Sequence, residues 1–311
     1  MNILITGIHG FVGSNLVEYL RNEHTIYGLD IVAPQKSGIV KTFSWKDLEE
    51  GVLPQVDAII HLAGKAHDTK NESMDEVYFR INTGLTQIIY DYYLGSSASK
   101  FIFFSTAKAA ADRVDGVLTE EVEPNPVGPY GESKIRAEKY ILNTNNPDNK
   151  KYYIFRPCMI HGPGNKGNLN LLYNVIKKGI PWPLGAFENR RTFTSIENIC
   201  FAVNGVLKRN VLSGIYNMGD DEALSTNELI EEICRSLGTK AHIWRLPKGL
   251  MKGAAKVGGW LHLPLNPDRL QKLTENYVSS NDKIKKALGV ESMPVSALTG
   301  LKRTLESFNS K

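Results

Sequence analysis

An α/β fold built on a doubly wound parallel sheet, with a smaller C-terminal lobe, is predicted by three features of the chain. The N-terminal half alternates short, continuously apolar runs with amphipathic stretches. Strands buried on both faces read as unbroken apolar runs, and helices on each side supply that cover. A glycine-rich loop, Thr6-Gly7-Ile8-His9-Gly10-Phe11-Val12-Gly13, separates the first such run from the first amphipathic stretch. After Arg156 the alternation gives way to a segment punctuated by Pro157, Gly162, Pro163, Gly164, Gly167, Pro181, Pro183 and Gly185, the composition of loop-rich structure.

The elements follow in order. Ile3-Leu4-Ile5 is a strand, and Phe11 to Arg21 a helix with Phe11, Val12, Leu16, Val17 and Leu20 at helical spacing. Thr25–Leu29 and Val56–Leu62 are strands. Met74, Val77, Tyr78, Ile81, Leu85, Ile88 and Ile89 mark the inner face of a long helix reaching Leu94. Lys100–Phe104 is a strand, Tyr130–Leu142 a helix and Tyr152–Phe155 a strand. Helices are then expected over Leu169–Lys178, over Thr226–Leu237 with Ser225 as N-cap, and over Val295–Phe308. Ile215-Tyr216-Asn217 reads as a late strand returning to the first sheet. The resulting division assigns residues 1–164 plus about 190–217 to a first domain, and 165–189 plus about 218–311 to the second lobe.

A chain of 311 residues with 42% hydrophobic content has material for a large core. Its net charge of +4 is small and spread out, so neither a nucleic-acid nor a membrane partner is expected. Cys158, Cys200 and Cys234 are far apart and odd in number, which argues against a metal site and for a reducing compartment. With no apolar stretch long enough to span a bilayer and no leader, a cytoplasmic protein is expected. His61, His67 and His161 have no ligand-like spacing and read as packed or hydrogen-bonded residues.

The glycine loop lets the backbone approach a dinucleotide pyrophosphate without Cβ clashes, and the following helix supplies free N–H groups and partial positive charge. Asp30 closes the second strand, where a carboxylate bonds adenosine ribose hydroxyls and repels a 2′-phosphate; NAD is therefore favoured over NADP. Tyr130 and Lys134 share a helix face, and an ammonium beside a phenol is expected to lower its pKa, making Tyr130 a general acid–base. Thr106 follows the strand that ends at Phe104, at the edge where ligands bind in such sheets, and its hydroxyl could reach the same substrate oxygen.

With these residues, and with His61-Leu62-Ala63-Gly64, Asn82, Ser105-Thr106, Arg156-Pro157 and His161-Gly162-Pro163-Gly164, the chain resembles an extended short-chain dehydrogenase/reductase of the nucleotide-sugar epimerase/dehydratase family over nearly its whole length. The resemblance implies a Rossmann-type first domain and a nucleotide-sugar-binding second lobe. It implies that Thr106, Tyr130 and Lys134 are catalytic. It also implies that Gly7, Gly10, Phe11, Val12, Gly13, Asp30, Leu62, Ala63, Gly64, Asn82, Ser105 and Pro157, together with Tyr130 and Lys134, surround the cofactor. Arg191, in Arg190-Arg191-Thr192-Phe193-Thr194-Ser195, matches the arginine that binds the nucleotide diphosphate; Arg269 and Asn168 are further substrate-binding candidates, and no metal is implied.

One departure is informative. Relatives that dehydrate hexoses carry an Asp-Glu pair after the catalytic threonine, whereas this chain has Ala107-Lys108, which disfavours a 4,6-dehydratase; Lys108 is expected to face solvent. The reading is an NAD-dependent 4-epimerase of a nucleotide sugar, UDP-linked, working through a transient 4-keto sugar in polysaccharide precursor synthesis. The alternatives are a 4-keto reductase of a 6-deoxy N-acetylhexosamine nucleotide using NAD(P)H and, from another class, a non-catalytic dinucleotide-binding sensor. Family members often dimerise through the two long helices, and a homodimer is expected by analogy.

Overall fold

The computed structural model describes residues 1–66, 74–165, 167–260 and 265–309; His67 lies outside them. Strands β1 (Asn2–Thr6), β2 (Thr25–Leu29), β3 (Thr42–Phe43), β4 (Ala58–His61) and β5 (Lys100–Phe104) come from the first third of the chain. They are followed by β6 (Val117–Leu118), β7 (Lys151–Pro157), β8 (Met159–His161), β9 (Phe193–Ser195), β10 (Gly214–Met218) and β11 (Val278–Ser279). Seven of them form one sheet in the order β10-β7-β5-β4-β1-β2-β3, with every pairing parallel. The chain winds outward in both directions from β1, so the crevice at the carboxyl ends of β1 and β4 is the topological switch point.

The central strands alternate between two cores, as a pleated strand requires. Ile3, Ile5, Ala58, Ile60, Ile102, Phe104, Tyr153 and Phe155 belong to one core. Leu4, Ile59, Phe101, Phe103 and Ile154 face the other. The first core is covered by α1 (Phe11–Leu20), the second by α2 (Trp45–Glu49) and, further along the chain, by the helices flanking the active-site edge. The helix expected from Met74 to Leu94 is instead α3 (Asp75–Tyr78), a π-helical turn (Phe79–Gly84) and α4 (Leu85–Gly95). The wide turn resets the phase of the face: Asn82, Thr83 and Thr86 are buried, while Met74 and Ile88 are exposed.

Beyond α5 (Pro129–Asn143) come α6 (Asn168–Lys177) and α7 (Ile196–Lys208), the latter covering the first core. They are followed by α8 (Thr226–Ser236), α9 (Lys248–Trp260), α10 (Pro267–Thr274), α11 (Asp282–Leu288) and α12 (Ala297–Asn309). A separate apolar cluster joins α6, α8, α9, α10 and α12 through Leu169, Tyr173, Leu229, Ile233, Met251, Ala255, Leu270, Leu301 and Leu305. Ser225 caps α8 through a reciprocal capping box with Glu228. Among the described residues, no helix is long and apolar enough to cross a membrane.

One buried ion pair ties α5 to the sheet. Arg156 on β7 is 1% exposed and Glu138 on α5 is fully buried; the Arg156 Nε–H donates to Glu138 Oε1 at 3.0 Å and Nη2 also binds the carboxylate. Removing one partner of such a pair leaves an uncompensated buried charge. Glu138→Ala is therefore expected to cost about 3–5 kcal/mol, read as a lowered urea midpoint, with Glu138→Gln losing less.

Candidate active site

The loop after β1 is shaped by what its glycines must avoid. Gly7 has φ +67°, and a Cβ there would lie 2.9 Å from the Ala63 backbone nitrogen; the chain leaving β1 and the chain leaving β4 thus touch, backbone to backbone. At Gly13 a Cβ would come within 2.5 Å of the Ile8 carbonyl oxygen, so the first turn of α1 lies directly on the loop. Gly10 begins α1 without a side-chain cap, which leaves the first-turn N–H groups available to an anion. Asp30 sits at the lip: its Oδ2 accepts from His9 N–H at 3.0 Å and its Oδ1 from Ile31 N–H at 2.7 Å. Phe11 and Val12 rest against the first core, and Phe11 lies beneath Gly162. The cradle fits a dinucleotide: glycine approach, an open helix N-terminus and a carboxylate at the lip coincide.

A line of hydrogen bonds runs from this loop to the acid–base helix. Ala63 N–H donates to Thr6 Oγ1 at 3.0 Å, and Thr6 Oγ1 lies 2.7 Å from His61 Nδ1. On the other side His61 Nε2 lies 3.0 Å from Thr86 Oγ1, whose hydroxyl donates to the Asn82 carbonyl at 2.6 Å. Because the Thr86 proton is committed to that carbonyl, His61 must donate from Nε2 and accept at Nδ1. Burial holds His61 well below the ordinary imidazole range, consistent with this neutral tautomer. The Asn82 side chain then accepts from Lys65 N–H at 2.8 Å and donates to Ser133 Oγ at 3.0 Å; Ser133 donates to the Tyr130 carbonyl at 2.9 Å.

Tyr130 and Lys134 project from the first two turns of α5, which starts at Pro129 after Gly128 (φ +83°). Lys134 is 6% exposed and its Nζ donates to the Phe104 carbonyl at 2.9 Å; an ammonium has more donors than that bond uses. A Cβ at Gly64 would lie 2.9 Å from Asn82 Oδ1 and 3.2 Å from Lys134 Nζ, so only glycine keeps the space beside the lysine open. Burial brings the Lys134 pKa down to about 8, against the opposing charge of Glu138. Tyr130 departs from the expectation of a lowered pKa: burial raises it, and the hydrogen bond with Thr106 works the other way without cancelling the rise. The depressing influence thus comes from the Thr106 hydroxyl, while Lys134 is engaged with the Phe104 carbonyl. Thr106 itself is nearly buried, as the residue preceding a short helical turn whose Lys108 N–H it accepts.

Ser105, expected beside the cofactor, is buried, and its hydroxyl donates to Glu138, which also makes it part of the α5 anchor. Pro157 ends β7, and Leu62, Ala63 and Gly64 follow β4 at the same edge of the sheet. Arg191 is held by backbone bridges to Leu224 and Tyr277, and its Nη2 pairs with Glu275 Oε1 at 3.2 Å. Arg190 turns outward to Glu228. Glu275 caps the C-terminal end of α10, whereas Arg269 is exposed in its first turn. Asn168 is exposed at the start of α6. Its neighbour Asn165 is the residue the sequence did not single out: it is 7% exposed, with a buried amide nitrogen that has no partner. Lys108, expected to face solvent, has a side chain 40% exposed, and its Nζ pairs with Asp112 Oδ1 at 2.8 Å. His161 is buried, 2.9 Å from Thr304 Oγ1. The three cysteines are free, and burial raises the thiols of Cys158 and Cys200 to about 12. Among the described residues, no His, Cys, Asp and Glu cluster could hold a metal.

A parallel sheet with a glycine cradle at its switch point and a Tyr-x-x-x-Lys helix beside it defines a dinucleotide-dependent enzyme of the short-chain dehydrogenase/reductase class. The profile of the NAD dependent epimerase/dehydratase family matches residues 3–219, and the chain belongs to that family; its cofactor is NAD. It is 27% identical over 323 residues to the UDP-glucose 4-epimerase of Vibrio cholerae, spanning 99% of this chain and 95% of that one. It is 28% identical over 295 residues to the N-acetyl-alpha-D-glucosaminyl-diphospho-ditrans,octacis-undecaprenol 4-epimerase of Escherichia coli O157:H7, spanning 92% and 85%. Among solved structures, MoeE5 in complex with UDP-glucuronic acid and NAD superposes with a TM-score of 0.78 at 20% identity, over 100% of this chain and 99% of that one.

Two outcomes follow from the geometry. Gly13→Ala forces a methyl against a backbone carbonyl that cannot yield, so NAD affinity measured by calorimetry is expected to fall by about 1–3 kcal/mol. Between about pH 8 and 10.5 the unfolded chain keeps the Lys134 proton that the folded apo-protein has released, so this group's contribution to stability rises with pH across that window and its penalty is complete below it. Lys134→Met is expected to be more stable than the parent at pH 7, by about 1–3 kcal/mol, with the gain shrinking toward pH 10.5 in pH-dependent urea unfolding.

Proposed function

We propose that the chain is an NAD-dependent 4-epimerase of a nucleotide-diphosphate sugar, UDP-linked, serving polysaccharide precursor synthesis. The observation that carries this reading is Tyr130 sharing a hydrogen bond with Thr106 beside the buried Lys134, at the mouth of the glycine cradle. Gly7, Gly10 and Gly13 hold the pyrophosphate, Asp30 the adenosine ribose, and the remaining donors of Lys134 the nicotinamide ribose. When bound, NAD supplies hydride acceptance and return at the sugar C4. Thr106 orients the 4-hydroxyl, and Tyr130 Oη takes its proton and later gives it back. Arg191 meets the diphosphate, with Arg269 and Asn168 as further contacts; a guanidinium fork suits paired phosphate oxygens. Ala107 and Lys108 leave the site without the carboxylate pair of a dehydratase. Similarity to a UDP-glucose 4-epimerase across both whole chains supports the epimerase over the reductase.

The same reading divides the chain into a cofactor domain (1–164 plus about 190–217) and a sugar-nucleotide lobe (165–189 plus about 218–311). It also pairs two copies through α4 and α5, whose exposed Ile88 and Leu142 support such a contact.

Purified protein should release NAD on denaturation, identified by mass spectrometry, and interconvert a UDP-sugar with its C4 epimer without net redox change. Tyr130→Phe should retain NAD and lose about 10²–10⁴ in turnover. NADH oxidation that requires a 4-keto sugar would establish the reductase instead. Unchanged turnover in Tyr130→Phe would remove Tyr130 from the mechanism.

A further inference from the structure

Averaged over the chain, charge is dispersed, but one stretch is wholly one-sided. Between Glu232 and Asp268 there is no acidic residue, while Arg235, Lys240, Arg245, Lys248, Lys252 and Lys256 all fall there. These cations exceed the net excess of the entire chain, so the remainder is slightly negative. The stretch contains α9, which buries Met251, Ala255 and Gly258 against the lobe. The rest of its circumference is exposed and sorted into two stripes. Lys248, Lys252 and Lys256 follow one another at four-residue spacing and share a face. Beside them Leu250, Val257 and Trp260 are 60%, 54% and 81% exposed. Trp244, just before the helix, is 53% exposed.

Neither stripe makes sense in plain water. Like charges at this spacing repel, and Lys248 leans over the Phe187 ring rather than toward an acid. An indole left four-fifths in solvent forgoes a large burial gain. A second copy of this chain would bring the same cations face to face. A basic stripe flanking an apolar, tryptophan-bearing stripe is the pattern of a helix lying in the plane of a bilayer surface, with lysines reaching headgroup phosphates and the apolar side chains in the acyl boundary.

We propose that α9 docks the C-terminal lobe on an anionic phospholipid surface. This assignment makes the chain a peripheral membrane protein and gives it a partner that its sequence did not predict. The assignment rests on this face alone and stands whether the reaction is epimerisation or reduction.

The test is co-sedimentation of the full-length protein with phosphatidylcholine vesicles and with vesicles containing about one-third phosphatidylglycerol, at about 0.05 and 0.5 M salt. Binding is expected on the anionic vesicles at low salt, with a blue shift of tryptophan emission, and loss at high salt. Lys252→Glu/Lys256→Glu and, separately, Trp260→Ser are each expected to weaken binding by about tenfold or more. All three substituted positions are exposed, and circular dichroism and NAD content should match the parent. Absence of binding to anionic vesicles overturns the proposal, as does equal binding to neutral ones. Unchanged binding in both variants overturns it too, as does a parent dimer in sedimentation velocity that Trp260→Ser dissociates.

Discussion

The hydrogen-bonded line from Thr6 through His61, Thr86, Asn82 and Ser133 to the Tyr130 carbonyl is the constraint on which the rest of the site depends. It links the end of β1, the end of β4, the π-helical turn and the first turn of α5, which have no covalent proximity. Every buried polar member is satisfied, and a fully satisfied network in a low-dielectric interior is rigid and specific. The imidazole is useful here because its two nitrogens can accept on one side and donate on the other while the ring packs against Phe103. The π-helical turn follows from the same requirement: a regular helix would point apolar residues where Asn82, Thr83 and Thr86 are needed.

The same interior has to tolerate charge. The α5 face that meets the sheet carries Ser133, Lys134 and Glu138, all buried. Glu138 lies between two cations, bonding Arg156 directly and favouring the charged form of Lys134 across one helical turn. Ser105 supplies a further donor to the carboxylate. What begins as a motif of phenol and ammonium is thus one end of a buried electrostatic arrangement. The cost of burying Lys134 is held down by Glu138, the Phe104 carbonyl and the Phe103 ring below it.

The sequence makes some of this legible and hides the rest for physical reasons. Parallel strands such as Lys100–Phe104 announce themselves because both their faces are buried, so the four residues after Lys100 are all apolar. The glycine loop and the Tyr130–Lys134 spacing are local geometry, readable within a few residues. Helix α7 is obscured by Asn204 and Gly205, yet Gly205 is where Leu288 packs, since a Cβ there would meet Leu288 Cδ2 at 2.6 Å. The two-residue strands β6 and β11 exist only through each other, one in the first half of the chain and the other in the second. The Arg191–Glu275 pair joins residues 84 apart, and the bond from Ser105 to Glu138 depends on how α5 seats on β5 and β7. The basic face of α9 was lost in an average taken over the whole chain.

The Glu138–Arg156 anchor has a temporal consequence. During synthesis α5 leaves the ribosome before β7, so the helix bearing Tyr130 exists for a time with β5 present but without β7 and without the guanidinium that pairs with Glu138. Domains acquire structure as the chain is made, but the anchor of this helix is incomplete until Arg156 has been translated and β7 has zipped alongside β5. Nascent and truncated chains consequently carry Glu138 without its cation, and in a half-made copy the helix bearing Tyr130 is not yet fixed in place.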